Sequence, residues 1–246
     1  MPATPAWPPK SLPRLYVDAP MGAQAAVPLD QRQAHYIGTV MRRQVGDPLL
    51  VFNGRDGEWR GELVDIAKKR ALLKLTEQTK PQEAPTGLTL AFAPIKKGPI
   101  DVLVEKAVEL GVEVLQPVVT HRTNAARIGA ERMEKTIIEA AEQCGRTALA
   151  TLRAPMKLER WLIERDRVPL YFADETGGAP ALSSYAPPPA AILIGPEGGF
   201  TEEERTMIRA EEGAIAISLG PRILRAETAA LAAIATYMAG AGDWAR

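Results

Sequence analysis

Residues 88–119 read LTLAFAPIKKGPIDVLVEKAVELGVEVLQPVV, and the fold class turns on this stretch. Residues 88–93 are an apolar run of strand length. Residues 100–110 carry Leu103, Ala107 and Leu110 at helical spacing and stop at Gly111, a residue that readily takes the left-handed conformation of a helix end. Residues 114–119 are β-branched again. The same alternation continues downstream, with a helix over about 130–144 and strands at 168–173 and 190–194. A helix opened by Thr201 and Glu204 in capping-box spacing follows, then a strand at 214–219 and a last helix from near Glu227. Strands separated by crossovers of this length pair in parallel, so the expected class is α/β with a mostly parallel sheet.

Upstream, residues 79–87 read TKPQEAPTG, and two prolines and a glycine end any periodic pattern there. We therefore expect two domains, 1–80 and 87–246. In the first, residues 48–53, 58–66 and 70–75 read as short strands, with Gly54-Arg55-Asp56-Gly57 as a hairpin loop. Asp30 is placed to cap a short helix reaching about Val40, and Gly46-Asp47 turns the chain into the strands. A small β-rich domain is predicted.

A chain of 246 residues, 46% of them hydrophobic, can bury a substantial core. One cysteine, Cys144, and two histidines, His35 and His121, are too few for a disulfide framework or a Cys/His metal site, so no metal is expected and a reducing cytosol fits. Pro2, Pro5, Pro8 and Pro9 around Trp7 form a loosely docked tail rather than a signal peptide. The uncharged stretch 228–242 falls short of the roughly 20 residues a membrane helix needs, so no membrane association is expected. Net charge is zero, but residues 1–80 carry 12 basic against 8 acidic side chains, leaving 18 against 22 in the remainder. The basic excess lies at the N-terminal end.

In an open parallel sheet, ligands bind where loops leave the carboxyl ends of strands. Two such exits stand out: Ile194-Gly195-Pro196-Glu197-Gly198-Gly199-Phe200, and Leu219-Gly220-Pro221-Arg222-Ile223-Leu224-Arg225-Ala226-Glu227-Thr228. Their glycines let backbone amides and carbonyls approach a ligand. Neither the Gly-Lys-Ser/Thr ending of a triphosphate cradle nor the G-x-G-x-x-G dinucleotide fingerprint is present. Backbone groups around an adenine edge, with Ile223 and Leu224 packing the ring, would suit a nucleoside such as S-adenosylmethionine. Tight turns serving only the fold are the alternative. His35 and His121 read as surface or structural residues, Cys144 as packed, and Glu202-Glu203-Glu204 as acidic side chains complementing a helix dipole.

These residues resemble a known family, the 16S ribosomal RNA (uracil-N3)-methyltransferases, or RsmE family, of the knotted SPOUT class. The resemblance runs through Gln33-Ala34-His35, Val40-Met41-Arg42 and Gly46-Asp47, then Glu105-Lys106-Ala107-Val108-Glu109-Leu110-Gly111-Val112 leading to Pro117. It continues through Arg122-Thr123-Asn124, Glu142-Gln143-Cys144-Gly145-Arg146 and both glycine-marked loops. Tyr36 and Met41 stand where the family more often has leucines, and Ala150 falls near an expected proline. The resemblance implies a PUA-like N-terminal RNA-binding β-barrel domain and a C-terminal trefoil-knot domain. It also implies S-adenosylmethionine as cofactor, a homodimer in the cytoplasm, and 16S ribosomal RNA or the small ribosomal subunit as partner.

On that resemblance the cofactor would be held by Leu193, Ile194, Gly195, Gly198, Gly199, Leu219, Gly220, Ile223, Leu224, Arg225 and Ala226. Methylating uracil N3 removes an imide proton while charge spreads onto the flanking carbonyl oxygens. Arg225, with its planar fork of donors, is the candidate for stabilising that charge, and Glu197 for the base or uracil-orienting group. An ion pair that merely locks the two loops is the alternative for both, and Glu227 reads as a helix-start residue. The RNA-contact candidates are Arg14, His35, Arg42, Arg43, Arg55, Arg60, Lys68, Lys69, Arg70 and Arg122. Rival readings are a ribose 2′-O-methyltransferase of the same class and a non-catalytic ribosome-assembly factor.

Overall fold

A computed structural model describes residues 12–96, 98–123 and 129–245. The proline-rich stretch around Trp7, and Asn124, lie outside the described residues. The chain divides into two compact units, one formed by residues up to 84 together with 145–148, the other by 85–144 and 149–246.

The first unit is a five-stranded sheet. Its strands are β1 (Arg14–Tyr16), β2 (Ala26–Leu29), β3 (Pro48–Phe52), β4 (Glu58–Ala67) and β5 (Arg70–Lys80), in the order β1-β3-β4-β5-β2. Only the β1–β3 pair is parallel. The alternation seen in the sequence buries one face: Leu49 and Val51 of β3, Leu63 of β4, and Ala71, Leu73 and Leu75 of β5 meet Leu15, Val27, Leu29 and Ile37 in one core. The β3–β4 turn is set by Asn53, whose buried side chain accepts from the amides of Arg55 and Asp56 and donates to the Ala19 carbonyl. Gly57, at φ +78°, packs so closely on the Lys80 carbonyl that no side chain would fit. Asp30 and Gln33 form a reciprocal capping box at the start of α1 (Gln31–His35), which continues as a π-helical turn, Tyr36–Val40.

The second unit alternates as the periodicity predicts. Its elements are β6 (Leu88–Phe92), α2 (Pro99–Glu109), β7 (Val114–Val119), α3 (Ala130–Cys144), β8 (Thr151–Leu152), β9 (Met156–Lys157), α4 (Leu158–Glu164) and β10 (Leu170–Ala173). Then come β11 (Ala179–Pro180), α5 (Ala181–Ser184), β12 (Ala190–Ile194), α6 (Glu202–Ala210), β13 (Ala214–Ser218) and α7 (Ala226–Gly240), before a 3-10 turn, Asp243–Ala245. The strand order is β11-β13-β10-β12-β6-β7-β8, with β9 also on β7, and every pairing is parallel. Central strands of a parallel sheet are covered on both faces and need continuous apolar runs. All five residues of β12 are buried accordingly, as are Leu170, Tyr171 and Phe172 of β10. Each of the buried Leu, Ile and Phe side chains among them contributes about 1.5–3 kcal/mol on burial.

Two expectations need correction. Cys144 is exposed, not packed, because it ends α3 on the turn that faces solvent. The elements β1, β2, β8, β9, β11, α4 and α5 have no counterpart in the sequence reading. Among the described residues no helix is long and apolar enough to cross a membrane, and no group of three or more His, Cys, Asp or Glu is placed to hold a metal ion.

Candidate functional site

Strands β13, β10 and β12 are neighbours in that order and run parallel, so their carboxyl ends release three loops on one side of the sheet. The loops 174–177, 195–200 and 219–225, with the start of α7, enclose a cavity of about 560 Å³. That volume suits a nucleoside-sized ligand. Ile194, Gly195, Gly198, Gly199, Leu219, Gly220, Ile223, Leu224, Arg225 and Ala226 all line it, as does Glu197. Leu193 does not: its side chain joins the core under the sheet with Phe200 and Phe172. The third loop, Asp174-Glu175-Thr176-Gly177, escaped the sequence reading. The rule that picked out the other two exits applies to it equally, since it follows a predicted strand directly.

The 195–200 loop is shaped by its glycines and by contacts from outside it. A turn closed by the Gly199 amide on the Pro196 carbonyl (2.8 Å) puts Gly199 at φ +67°, where a Cβ would run into the Glu175 carboxylate. At Gly195 a Cβ would press on the buried Phe200 ring at 3.0 Å. Phe200 leads into α6 through a complete capping box. The Glu204 amide donates to Thr201 Oγ1 (3.2 Å), and Glu204 Oε2 accepts from the Thr201 amide (2.8 Å). The other oxygen, Glu204 Oε1, accepts from the His121 amide at 2.7 Å, so one buried carboxylate ties the turn after β7 to the start of α6. From that turn Arg122 reaches back and donates to the Gly198 carbonyl (2.6 Å). Expected among the RNA contacts, Arg122 is thus placed on the cavity-forming loop.

Glu204→Ala removes the shared acceptor of two backbone N–H groups, those of His121 and Thr201. An unfolding free energy lower by about 2–4 kcal/mol is expected, read from urea denaturation. Glu204→Gln, which keeps one acceptor, should lose less. Equal stability of the alanine variant and the parent would show that the latch carries nothing.

Below the cavity lies a charged network. The Asp174 carboxylate, its side chain fully buried, accepts from the Thr176 hydroxyl (2.7 Å) and amide (2.9 Å) and from Arg209 (2.6 Å). Burial pushes this carboxyl up, but the Thr176 and Arg209 hydrogen bonds outweigh it and hold it below the usual carboxylate range. Arg205, also largely buried, pairs with Asp174, Glu175 and Glu202. Asp174, Glu175 and Thr176 all line the cavity, and of the two carboxylates only that of Glu175 keeps exposed surface, 39% against 0% for the Asp174 side chain.

At the opposite wall, Gly220 takes φ +107° with open space beside it, and Ile223 projects with 91% of its surface exposed. Arg225 is the N-terminal flanking residue of α7 and makes no side-chain cap. Glu227 sits in the first turn, where its charge complements the helix dipole. Among the described residues Arg225 and Glu197 form no ion pair with each other, and both are exposed at the cavity. A cation and a carboxylate thus stand free beside a nucleoside-sized space.

In the first unit, Lys68 and Lys69 occupy the tight β4–β5 turn and line a cleft with Arg32 and His35 of α1. Arg42 is exposed in a left-handed conformation, and the Arg43 Nε is buried without a hydrogen-bond partner among the described residues. Arg55, Arg60 and Arg70 make exposed ion pairs with Asp18, Glu77 and Asp65. Such pairs contribute little stability and leave the cations accessible. Arg14 is different: its guanidinium is 9% exposed, paired with the buried Glu58 and stacked 3.8 Å over the Phe52 ring. Its side chain is held against the interior of the unit by Glu58 and Phe52.

Comparison with known proteins places these features. The RNA methyltransferase domain family matches residues 82–238, and the RNA methyltransferase PUA domain family matches residues 29–76. Ribosomal RNA small subunit methyltransferase E of Rickettsia conorii is 33% identical over 227 residues, covering 90% of this chain and 93% of the relative. The protein of the same name from a Synechocystis strain is 34% identical, covering 90% and 76%. Among solved structures, ribosomal RNA small subunit methyltransferase E from Neisseria gonorrhoeae bound to S-adenosylmethionine superposes with a TM-score of 0.85 at 28% identity, over 95% of this chain and all of that one. A putative methyltransferase from Legionella pneumophila, also with bound S-adenosylmethionine, gives 0.87 at 29% identity over the same shares.

Proposed function

Because the chain belongs to the RNA methyltransferase family that includes the ribosomal RNA small subunit methyltransferases E, we propose that it transfers a methyl group from S-adenosylmethionine to N3 of a uridine in 16S ribosomal RNA. The observation that carries this reading is the single cavity built from the ends of β10, β12 and β13, at which the two glycine-marked loops meet. The cofactor fits what is there: Gly220 has open space beside its backbone, and the exposed Ile223 with the half-buried Leu224 offers an apolar face to an adenine ring. The fold class is that of the SPOUT methyltransferases with a PUA-like N-terminal domain.

When bound, the cofactor supplies an electrophilic methyl on a sulfonium. The chain's own residues must hold uracil N3 in line with it, take up the imide proton and balance the charge that spreads onto the O2 and O4 carbonyls. Glu197, exposed and without an ion-pair partner among the described residues, is placed to accept that proton. Arg225 provides donors for the carbonyl oxygens from the start of α7, whose dipole favours negative charge at the same end. The N–C bond forms as the C–S bond breaks, so alignment by the three loops supplies much of the acceleration.

Mass spectrometry of small-subunit ribosomal RNA from cells with and without the protein tests this directly. A missing methylated uracil supports the assignment. A missing alkali-resistant linkage would instead identify a ribose methyltransferase, and unchanged RNA would leave only a binding role.

RNA contact is assigned to Arg42, Arg43, Lys68, Lys69 and Arg70 of the first unit, with Arg14 held in a structural position. Replacing Arg42 and Arg43 together should weaken RNA binding for all sequences and reduce the slope of log affinity against log salt by roughly one to two. An unchanged slope would remove this face from the interface. We further assign the protein to the cytosol as a homodimer, which sedimentation equilibrium would show as a mass of twice one chain.

A further inference from the structure

Three acidic residues line the cavity, and two of them are neutralised, Asp174 by Arg209 and Arg205 and Glu175 by Arg205. Glu197 stands without an ion-pair partner among the described residues, whereas Glu175 is paired with Arg205, a largely buried guanidinium that also faces Asp174 and Glu202. The pairing changes what each can recognise. An unmatched carboxylate attracts a cation, but one whose charge is already balanced offers chiefly its remaining lone pairs, which suit neutral hydroxyl donors. Glu175 retains those lone pairs on the cavity side, since its side chain is still 39% exposed and lines the space.

The position is also built. Glu175 follows β10, the strand between β13 and β12, so it lies between the two glycine-marked loops rather than at the outer rim. It closes directly over Gly199, and only the lack of a Cβ there allows the approach. Asp174 beside it is locked by Thr176 and Arg209, which fixes the backbone that presents Glu175. An acidic residue after a parallel strand is a known solution for gripping the paired hydroxyls of a ribose.

Resting on the proposal that the site binds S-adenosylmethionine, we infer that Glu175 is its ribose-recognition residue, accepting hydrogen bonds from the 2′- and 3′-hydroxyls, with Arg205 as the positioning residue that holds it. The test is calorimetric binding of S-adenosylhomocysteine, its 2′-deoxy analogue and methylthioadenosine to the full chain and to E175A and E175Q. The parent should bind the 2′-deoxy compound roughly 10- to 100-fold more weakly, the worth of one hydrogen bond to a charged group. E175A should bind both equally, and E175Q, which keeps one acceptor and the packing, should show a reduced preference. Should E175A fail to fold, E175Q decides alone, an undiminished ribose preference overturning the inference. A variant that keeps the ribose preference but no longer distinguishes homocysteine-bearing ligand from methylthioadenosine would reassign Glu175 to the amino-acid tail and equally overturn it. Failure of the parent chain to bind any of the three would instead refute the methyl-donor reading itself.

Discussion

Replacing Arg225 with alanine is expected to lower kcat by roughly 10²- to 10³-fold, the usual loss when one preorganised donor to a developing oxyanion is removed. Cofactor affinity should change less than about fivefold. The separation follows from geometry: the rest of the 219–225 loop and the first residues of α7 line the cavity without help from this side chain, which makes no cap and has no partner in Glu197. Arg225→Lys should recover little, because an ammonium lacks the planar fork that can span a carbonyl and its neighbour. Single-turnover transfer of labelled methyl to RNA, set beside calorimetric cofactor binding, measures both halves. A variant that turns over within threefold of the parent would exclude Arg225 from the chemical step.

Gly199→Ala is expected to cost about 100-fold or more in cofactor affinity. Two effects add. The backbone at φ +67° charges an L-residue about 1–2 kcal/mol, and the new methyl group would displace the Glu175 carboxylate from over the loop. Moving Glu175 in turn disturbs its pairing with the buried Arg205. Gly220→Ala is the control, since at φ +107° its added Cβ meets nothing within 4 Å and only the backbone strain applies. Gly199→Ala should therefore lose clearly more than Gly220→Ala, with the circular-dichroism spectrum unchanged in both. Equal losses would mean that the packing between the two loops has no part in holding the cofactor.

Much of the catalytic unit was legible because its strands are buried on both faces and its helices carry explicit ends. Apolar runs such as LTLAF and AAILI, the Thr201/Glu204 box and Gly111 each have a local cause, visible without neighbours. The strands β8, β9 and β11 have two residues each, too few for any period to register. Long-range pairing hid the rest. Arg14 resembles a surface cation until Glu58, 44 positions away, is found beside it. The part played by Glu204 depends on the His121 amide, 83 positions distant. The loop after β10 follows a predicted strand as the other two do, but its Asp-Glu-Thr-Gly sequence has the composition of an ordinary turn, and the order of strands in the sheet is what brings it between them.

The first unit takes four residues from far along the chain. Arg14 donates to the Arg146 carbonyl, Lys80 to the Gly145 carbonyl (3.0 Å), and the Glu83 amide to the Thr147 hydroxyl (2.8 Å). A fragment cut after residue 84 would take these acceptors from all three donors, two of which, Arg14 and Lys80, also sit beside the buried Glu58 carboxylate. This unit is consequently not a cassette that gene fusion could move intact onto another enzyme: it can finish folding only after synthesis has passed residue 148, when residues 85–144 of the catalytic unit have already been made and its cavity loops have not.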